Sequence, residues 1–356
     1  MISLHQGTNT LDLHPKVLEV LKDSINSEMP YGYYGEPNGS KKLRQKILDH
    51  YKIDSEKYDI MLTSGSSAAL HLIIDNCRSK YQNFVDTIPG WPWPRTMAKE
   101  RGYWGHPVLS RKILPKDIPK SSVVYLVNGH NPTGHVYSDE ERYALQEECK
   151  NKESMILHDI AYYDFFEEPY PLLLNDDNFL VFSFSKGSGL ASLRIGGFIT
   201  SKENMKNIPT AGPNRLGINI IAERAAMASL EYYDEWKPKN IQIVRKNQDR
   251  IRKELSPLGV KFLCPDAIHR IVLTLDEKID TTVFNEKLIS EGVSLTDISS
   301  PVFGLYFNPS VTAKYEMGVK HFDDPPFTNS LQATAAISDE WLNGFLEKFK
   351  KVYQSL

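Results

Sequence analysis

The sequence predicts an α/β fold in which a mostly parallel sheet, sandwiched by helices, forms a large domain beside a smaller α+β domain. Two observations support this prediction. Short apolar strands, polar loops and helices recur in that order, as expected of a parallel sheet whose connections are helical. The chain also has 356 residues, which is enough for one large and one small domain.

The N-terminal residues predict an arm followed by an amphipathic helix before position 30. The apolar side of that helix would consist of Val17, Leu18, Val20, Leu21 and Ile25. A Gly/Pro/Asn-rich loop over Gly32–Gly39 follows, and Ser40 then begins a second helix.

Small residues follow the next predicted strand, Ile60–Thr63. They are Ser64-Gly65-Ser66-Ser67, directly before a helix over Ala68–Asn76. The free N–H groups of such a helix start form a binding site for anions, although an ordinary helix cap would use the same residues. Further on, the prolines of Pro89–Pro94 argue against a helix or a central strand.

Three buried strands are each followed by a polar residue. The strands are Val123–Val127, Met155–Leu157 and Leu180–Phe184. Asn131, Asp159 and Lys186 come after their carboxyl ends. Because ligands of such sheets bind beyond the carboxyl ends of the strands, these three side chains are expected to converge on one site.

Other signals place the elements around these strands. Ser138 and Glu141 form a capping box that predicts a helix. Ile195–Thr200 is expected to be a strand next to the one that precedes Lys186. Residues 218–255 are predicted to be a long helical segment, interrupted near Pro238, that connects the two domains.

The C-terminal part of the chain is predicted to form the smaller α+β domain. Its strands would be Val260–Leu263, His269–Leu275 and Ser330–Ile337, and its helices Thr281–Ser290 and Asp339–Tyr353. The predicted division is an N-terminal arm (1–40) that helps to complete the small domain, a large domain (41–240) and a small C-terminal domain (241–356).

The stretch Val181–Gly197 contains the residue with the clearest chemistry. Lys186 closes an apolar/polar strand, Gly187 and Gly189 allow a tight turn, and Arg194 follows. A lysine beside hydroxyls and a fixed arginine suits a Schiff-base lysine next to a phosphate site. Taken alone, the pattern also fits a solvated lysine.

Composition and charge exclude several classes of protein. A formal net charge of −3 without a dense Lys/Arg run argues against nucleic-acid binding. The sequence has no apolar run long enough to span a membrane and no signal peptide, so a cytoplasmic protein is expected. Three isolated cysteines (Cys77, Cys149 and Cys264) fit reduced core thiols, and no metal site is predicted.

The motifs occur in an order that resembles a known family. They are Tyr-x-x-x-x-Gly-x-x-x-Leu-Arg (34–44), Ser-Gly-Ser (64–66), Pro-x-Trp (89–91), Asn-Pro-Thr-Gly (131–134), Asp-x-Ala-Tyr (159–162), Ser-x-x-Lys (183–186) and Arg194. In this order the chain resembles fold-type I enzymes that depend on pyridoxal 5′-phosphate (PLP), specifically the class I/II aminotransferase family. Within this family it resembles histidinol-phosphate aminotransferase-like and alliinase-like relatives.

The resemblance implies a role for each motif. Lys186 would form the Schiff base and move a proton, Asp159 would face the pyridine nitrogen, and Asn131 and Tyr162 would bond the phenolate oxygen. Trp91, with Trp93 as an alternative, would stack on the ring. The expected phosphate ligands are Gly65, Ser66, Ser183, Arg194 and, across a homodimer interface to which the arm (1–40) contributes, Tyr34.

One position departs from the family pattern. Gln332 stands where the family has an arginine that binds the substrate α-carboxylate. Either the alignment is shifted, or another cation serves, or the substrate is held differently. Arg270 and His269 are the nearest alternatives, and Gly7, Arg270 and Gln332 are the candidate substrate residues.

The function predicted from the sequence is an aminotransferase that moves an amino group between an amino acid and a keto acid. A PLP-dependent lyase, decarboxylase or cyclase remains the alternative, because Gln332 leaves the reaction type open. A non-catalytic PLP-fold binding protein is the third hypothesis, and the presence of Lys186 and Asp159 argues against it.

Overall fold

The computed structural model describes residues 1–5, 7–26, 34–88, 90–208, 217–263, 267–298 and 329–356. Pro89, Cys264 and the first residues of the predicted loop Gly32–Gly39 lie outside this part of the chain.

The described residues form strands and helices that alternate along the first part of the chain. The strands are β1 (Ile2–Ser3), β2 (Tyr58–Thr63), β3 (Asn83–Thr87), β4 (Trp104–Val108), β5 (Ser122–Val127), β6 (Met155–Asp159), β7 (Phe179–Ser183), β8 (Gly196–Ser201), β9 (Lys261–Leu263), β10 (Arg270–Thr274), β11 (Val293–Ser294), β12 (Thr296–Asp297) and β13 (Ser330–Thr334). The helices are α1 (Pro15–Asn26), α2 (Lys41–His50), α3 (Ser66–Cys77), α4 (Trp93–Glu100), α5 (Asp139–Asn151), α6 (Lys202–Lys206), α7 (Ile220–Glu231), α8 (Tyr233–Leu255), α9 (Thr281–Ser290) and α10 (Asp339–Gln354).

A seven-stranded sheet organises the larger part of the described chain, with the order β2-β8-β7-β6-β5-β3-β4. Strands β4, β3, β5, β6 and β7 pair in parallel, whereas β8 is antiparallel to both β7 and β2. This mostly parallel sheet confirms the predicted fold class.

Helices cover both faces of this sheet because successive strand residues point to opposite sides. Val181 packs with α3 and α4, whereas its neighbours Leu180 and Phe182 pack with α1, α2 and α7. Strand residues buried on both faces must be apolar throughout, which explains why β5 and β7 were recognisable from sequence.

A second sheet, antiparallel and with the order β12-β13-β10-β9, forms the core of the C-terminal part together with α9 and α10. The N-terminal residues join it, because β1 pairs with β11 and Leu4 is buried in the same core. The boundaries of the arm and of the two domains stay predictions.

The sequence prediction was wrong in residues 84–109. This stretch contains β3, α4 and β4, none of which was predicted. Helix α4 begins at Trp93 inside the proline-rich segment, because Pro94 lies in its first turn. N–H groups of the first turn have no partner within the helix, so a proline there costs no hydrogen bond.

The predicted interruption of the long helix was misplaced. The break between α7 and α8 falls at Tyr232, and Pro238 lies inside α8. The indole N–H of Trp236 donates to the carbonyl of Ser229 at 2.8 Å, which satisfies one of the last carbonyls of α7.

The capping box was confirmed, because the Ser138 hydroxyl accepts a 3.2 Å hydrogen bond from the Glu141 N–H. Two strand ends differ slightly from the prediction. Strand β6 extends two residues beyond the predicted Met155–Leu157, so that Asp159 is its last residue, and β7 ends at Ser183, three residues before Lys186.

Candidate active site

A cavity of about 1230 Å³ lies between the carboxyl ends of the parallel strands and the antiparallel sheet. Most of the residues singled out from the sequence line it. They are Ser66, Trp91, Asn131, Asp159, Tyr162, Ser183, Lys186, Arg194, Arg270 and Gln332.

Lys186 projects into this cavity from the loop after β7. Its Nζ donates a 3.0 Å hydrogen bond to the carbonyl of Gly7. Burial lowers the pKa of Lys186 to about 7, and the positive charges of Arg270 and Arg194 add to this effect. Burial thus favours the uncharged, nucleophilic form of this amine over that of an ordinary lysine.

Asp159 is held by two donors at the end of β6. It is 4% exposed, the Tyr125 hydroxyl donates to Oδ2 at 2.8 Å, and the Ala161 N–H donates to Oδ1 at 2.9 Å. Burial raises the pKa of Asp159, and these hydrogen bonds and Lys186 oppose the rise. The carboxylate is thus fixed in orientation as an acceptor.

The start of α3 supplies backbone donors beside a cation. Gly65 caps the helix at φ +83°, and among the described residues no side chain accepts a hydrogen bond from the N–H groups of the first turn. Arg194 lies next to it in the left-handed conformation at φ +53°, with its guanidinium donating to the Ser64 carbonyl at 3.4 Å. Helix N–H groups and a guanidinium together suit a phosphate.

Ser183 lies at the end of β7, on the same side of the cavity. Its hydroxyl oxygen accepts a 3.1 Å hydrogen bond from the Ser185 N–H. This bond leaves the hydroxyl hydrogen available to a ligand oxygen.

Asn131, Gln332 and Arg270 form a continuous chain of hydrogen bonds. The Gln332 Nε2 donates to Asn131 Oδ1 at 3.0 Å, and its Oε1 accepts a hydrogen bond from Arg270 Nη1. Gln332 therefore orients both neighbours. All three residues are buried, and Gln332 is only 1% exposed.

Gly7 has a conformation that the site requires. Its φ is +59°, and a Cβ at this position would lie 2.0 Å from Nη2 of Arg270. Its carbonyl accepts hydrogen bonds from Lys186 and, at 2.8 Å, from Nε2 of His269. Only glycine leaves room for the arginine here.

The aromatic residues differ in their relation to the cavity. Tyr162 is buried, and burial raises its pKa, which Arg270 opposes through its charge and a hydrogen bond. Trp91 is half-buried and Trp93 is exposed, and both line the cavity. Tyr34 is 78% exposed and is not part of the lining, so its expected contact with a neighbouring subunit stays a prediction.

Two functional positions were not predicted. Tyr125, which holds Asp159, is a lone tyrosine in an otherwise aliphatic strand, and that was the available signal. Asn9 donates to the carbonyls of Lys186 and Gly187 at 2.8 and 3.0 Å. No local pattern marks Asn9, since its partners are distant in sequence.

The comparison with known proteins decides the family. The family model for aminotransferase class I and II matches residues 1–311. The chain belongs to this family. It is a PLP-dependent aminotransferase, as the sequence predicted.

This aminotransferase is similar in sequence to several named aminotransferases. It is 27% identical to the histidinol-phosphate aminotransferase of Hydrogenobaculum sp. over 312 residues, 84% of each chain. It is 26% identical to the aspartate aminotransferase of Sulfurisphaera tokodaii over 281 residues, which cover 72% of this chain and 69% of the relative.

Solved structures show the same fold. The histidinol-phosphate aminotransferase from Clostridium acetobutylicum aligns over the full length of both chains, with a TM-score of 0.79 and 18% identity. An aminotransferase from Mycobacterium tuberculosis aligns over 100% of this chain and 92% of its own, with a TM-score of 0.81 and 17% identity.

The residues of the cavity fit PLP. The cofactor has a phosphate, a pyridine nitrogen and an aldehyde. The uncapped start of α3 with Arg194 suits the first, the buried Asp159 suits the second and the amine of Lys186 suits the third. Among the described helices of this aminotransferase, none is both long and apolar enough to cross a membrane.

Proposed function

We propose that Lys186 is the residue that binds PLP covalently and that moves the proton at the substrate Cα. When bound, PLP supplies the carbonyl carbon that takes up the amino group and the ring that withdraws electrons from Cα. The observation that carries the proposal is the amine of Lys186 in the cavity, with its pKa lowered to about 7. A general base with such a pKa works well near neutral pH.

Asp159 keeps the pyridine nitrogen protonated in this proposal. A carboxylate opposite that nitrogen stabilises its positive charge, and the charge strengthens electron withdrawal by the ring. The two donors on Asp159 support this role because they favour the ionised carboxylate, in opposition to its burial.

The phosphate is assigned to the helix start at Gly65 and Ser66, to the Ser183 hydroxyl and to Arg194. The helix donor is the Ser66 N–H, because the Gly65 N–H donates to the Thr63 carbonyl at 2.7 Å. The free helix start and the fixed guanidinium support this assignment. Tyr34 of a second copy would complete the site in a homodimer, and its exposure leaves it available for such a contact.

Asn131 and Tyr162 are assigned to the phenolate oxygen of the cofactor, and Trp91 to the face of its ring. The amide of Asn131 has its oxygen occupied by Gln332, so its NH₂ group is left to donate. Trp91 lines the cavity and is half-buried against the apolar core that contains α3, which supports this position for its indole ring.

The proposed substrates are an amino acid as donor and a keto acid as acceptor, and the proposed location is the cytoplasm. The names of the relatives support amino-group transfer. Buried, unpaired Cys77 and Cys149 support a reducing compartment.

The test uses the purified PLP-loaded protein. Borohydride reduction and peptide mapping should place the cofactor on Lys186, and Lys186→Ala should abolish the label while the surface variant Lys202→Ala keeps it. Single L-amino acids should then shift the cofactor absorbance, and a keto acid should reverse the shift. Release of ammonia or CO₂ without reversal by any keto acid would instead support the lyase or decarboxylase alternative.

A further inference from the structure

Arg270 is a buried cation without a carboxylate partner. It is 7% exposed, and within the described part of the chain no carboxylate oxygen lies within 4.0 Å of its guanidinium. Two other shielded arginines do have such a partner: Arg142 pairs with Asp139, and Arg95 pairs with Asp86 at 2.6 Å. A buried charge without a counter-ion is costly, which indicates that Arg270 is completed by an anion from outside the chain.

The contacts of Arg270 leave its positive charge uncompensated. Its Nη1 donates to Gln332 and it also bonds the Tyr162 hydroxyl, and both partners are neutral. Its Nε is buried and has no hydrogen-bond partner among the described residues. The guanidinium nevertheless lines the cavity that contains Lys186.

The register of the sheet explains how Arg270 can act in place of an arginine at position 332. Strand β10 runs antiparallel to β13, with Val272 opposite Gln332. Arg270 is two residues from Val272, so Arg270 and Gln332 are diagonal neighbours on one face of the sheet, within reach of a long side chain. The guanidinium thus reaches the space beside position 332 from the adjacent strand.

Gly7 and Gln332 both accommodate the guanidinium of Arg270. Gly7 leaves the space that Nη2 occupies, since a Cβ there would be 2.0 Å away. Gln332 is neutral, so it accepts from Arg270 where a second arginine would repel it.

We infer that Arg270 binds the α-carboxylate of the amino-acid substrate, and that Gln332 is a positioning residue which orients both Arg270 and Asn131. This inference rests on the proposed PLP chemistry at Lys186. It places the cation that binds the carboxylate on β10, on the strand adjacent to position 332.

The test measures carboxylate binding to the PLP-loaded protein by calorimetry, with two matched pairs of probes: succinate with succinamide, and 3-phenylpropionate with 3-phenylpropionamide. The wild type should bind at least one carboxylate about 30-fold or more better than its amide. Arg270→Gln should weaken that carboxylate about 100-fold and leave the amide unchanged. Arg270→Lys, which keeps the charge, should give an intermediate loss even where the glutamine variant does not fold.

The swap Arg270→Gln/Gln332→Arg should regain about 10-fold in carboxylate affinity over Arg270→Gln. The matched control is Arg78→Gln, because Arg78 also bonds a glutamine, Gln82, at 2.9 Å but lies far from the cavity.

Gln332→Leu should weaken binding of the carboxylate probe. It should also change the pH at which the cofactor absorbance changes, because Asn131 loses its hydrogen-bond partner. A purely structural role would lower stability without that change.

Several results would contradict the carboxylate-binding role of Arg270 without contradicting the proposed PLP chemistry at Lys186. They are equal carboxylate affinity in Arg270→Gln and the wild type, equal binding of carboxylate and amide by the wild type, and no carboxylate binding by a wild type that reacts with amino acids. Failure of the proposed function is distinct, since the wild type would then carry no cofactor on Lys186.

Discussion

The hydroxyl of Tyr125 donates a 2.8 Å hydrogen bond to Oδ2 of Asp159, and both side chains line the cavity. The two residues lie near the ends of β5 and β6, which pair in parallel with Val127 opposite Asp159. The sheet therefore holds donor and acceptor at a fixed separation, and Tyr125 favours the ionised form of the carboxyl group.

Replacing Tyr125 with phenylalanine should weaken PLP binding. The change removes one of two donors from a buried carboxylate, which raises the pKa of Asp159 further and costs about 1–2 kcal/mol of binding free energy. The dissociation constant for PLP should rise about 10-fold, as measured by equilibrium dialysis.

The control for this change is Tyr103→Phe. Tyr103 is also buried and donates at 2.7 Å, but to the carbonyl of Ile74 outside the cavity. The Tyr103→Phe variant should lose stability without losing PLP affinity. Equal PLP affinity in Tyr125→Phe and the wild type would contradict the role of Tyr125.

Gly65→Ala should release the cofactor. A Cβ at Gly65 would lie 2.6 Å from Nη2 of Arg194, so the guanidinium must move away from the start of α3. The backbone at φ +83° and ψ 168° lies in a region that is essentially restricted to glycine, which adds a strain of about 1–3 kcal/mol for any other residue. We expect a loss of PLP affinity of about 100-fold, measured by the cofactor retained after dialysis.

Gly259→Ala is the control that separates backbone strain from the clash with Arg194. Gly259 has a φ of +85° and a ψ of 3°, in the left-handed helical region, and nothing lies within 4 Å of a Cβ there. Its alanine variant therefore carries a positive-φ strain without a clash. Both variants should lose stability in urea unfolding, Gly65→Ala the more, and only Gly65→Ala should lose PLP. A similar loss of PLP in both would exclude the proposed contact with Arg194.

The parts of the fold that were predictable are those with uniform burial. Strand β5 is buried at every residue, so its apolar run was visible in the sequence. Strand β4 was missed because it is an edge strand that pairs only with β3 and begins with the exposed residues Trp104, Gly105 and His106. An edge strand that buries little has no periodic signal.

The site was predictable where function requires residues close together in the chain. Lys186 and Arg194 lie within one motif, and Asp159 lies at a strand end. The Arg270–Gln332 contact joins residues that are 62 positions apart and depends on the register of β10 and β13. No local pattern contains that register, so the sequence could offer Arg270 as an alternative to an arginine at position 332 without predicting the contact between Arg270 and Gln332.

Asn9→Ala should slow catalysis more than it weakens PLP binding. Asn9 holds the carbonyls of Lys186 and Gly187, and its loss leaves two buried acceptors without this donor. The expected cost is about 2 kcal/mol of unfolding free energy, and displacement of Lys186 should lower kcat about 10-fold or more.

Ser138→Ala is the stability control for Asn9. It removes the cap of α5, at a cost of about 1 kcal/mol, far from the cavity. It should leave kcat unchanged. If both variants have the wild-type kcat, Asn9 contributes to stability alone.

The pKa of Lys186 predicts a pH-dependent stability of the PLP-free protein. The folded chain lowers this pKa to about 7 from an ordinary value of 10.5. Between these pH values the unfolded chain binds more protons at this site, so its contribution to the free energy of unfolding increases as pH rises. Below about pH 7 the buried charge destabilises the fold, and above about pH 10.5 this penalty is absent.

Lys186→Met removes the titrating group, so urea unfolding of the PLP-free protein should show the largest gain in stability over the wild type at about pH 6. The gain should shrink as pH rises from about 7 towards 10.5, where only the lost hydrogen bond to Gly7 remains to distinguish the two proteins. Lys202→Met, at an exposed position, is the matched control and should show no such trend. A stability difference that does not vary with pH would mean that Lys186 keeps an ordinary pKa, and the chain would then lack the neutral amine proposed for the chemistry.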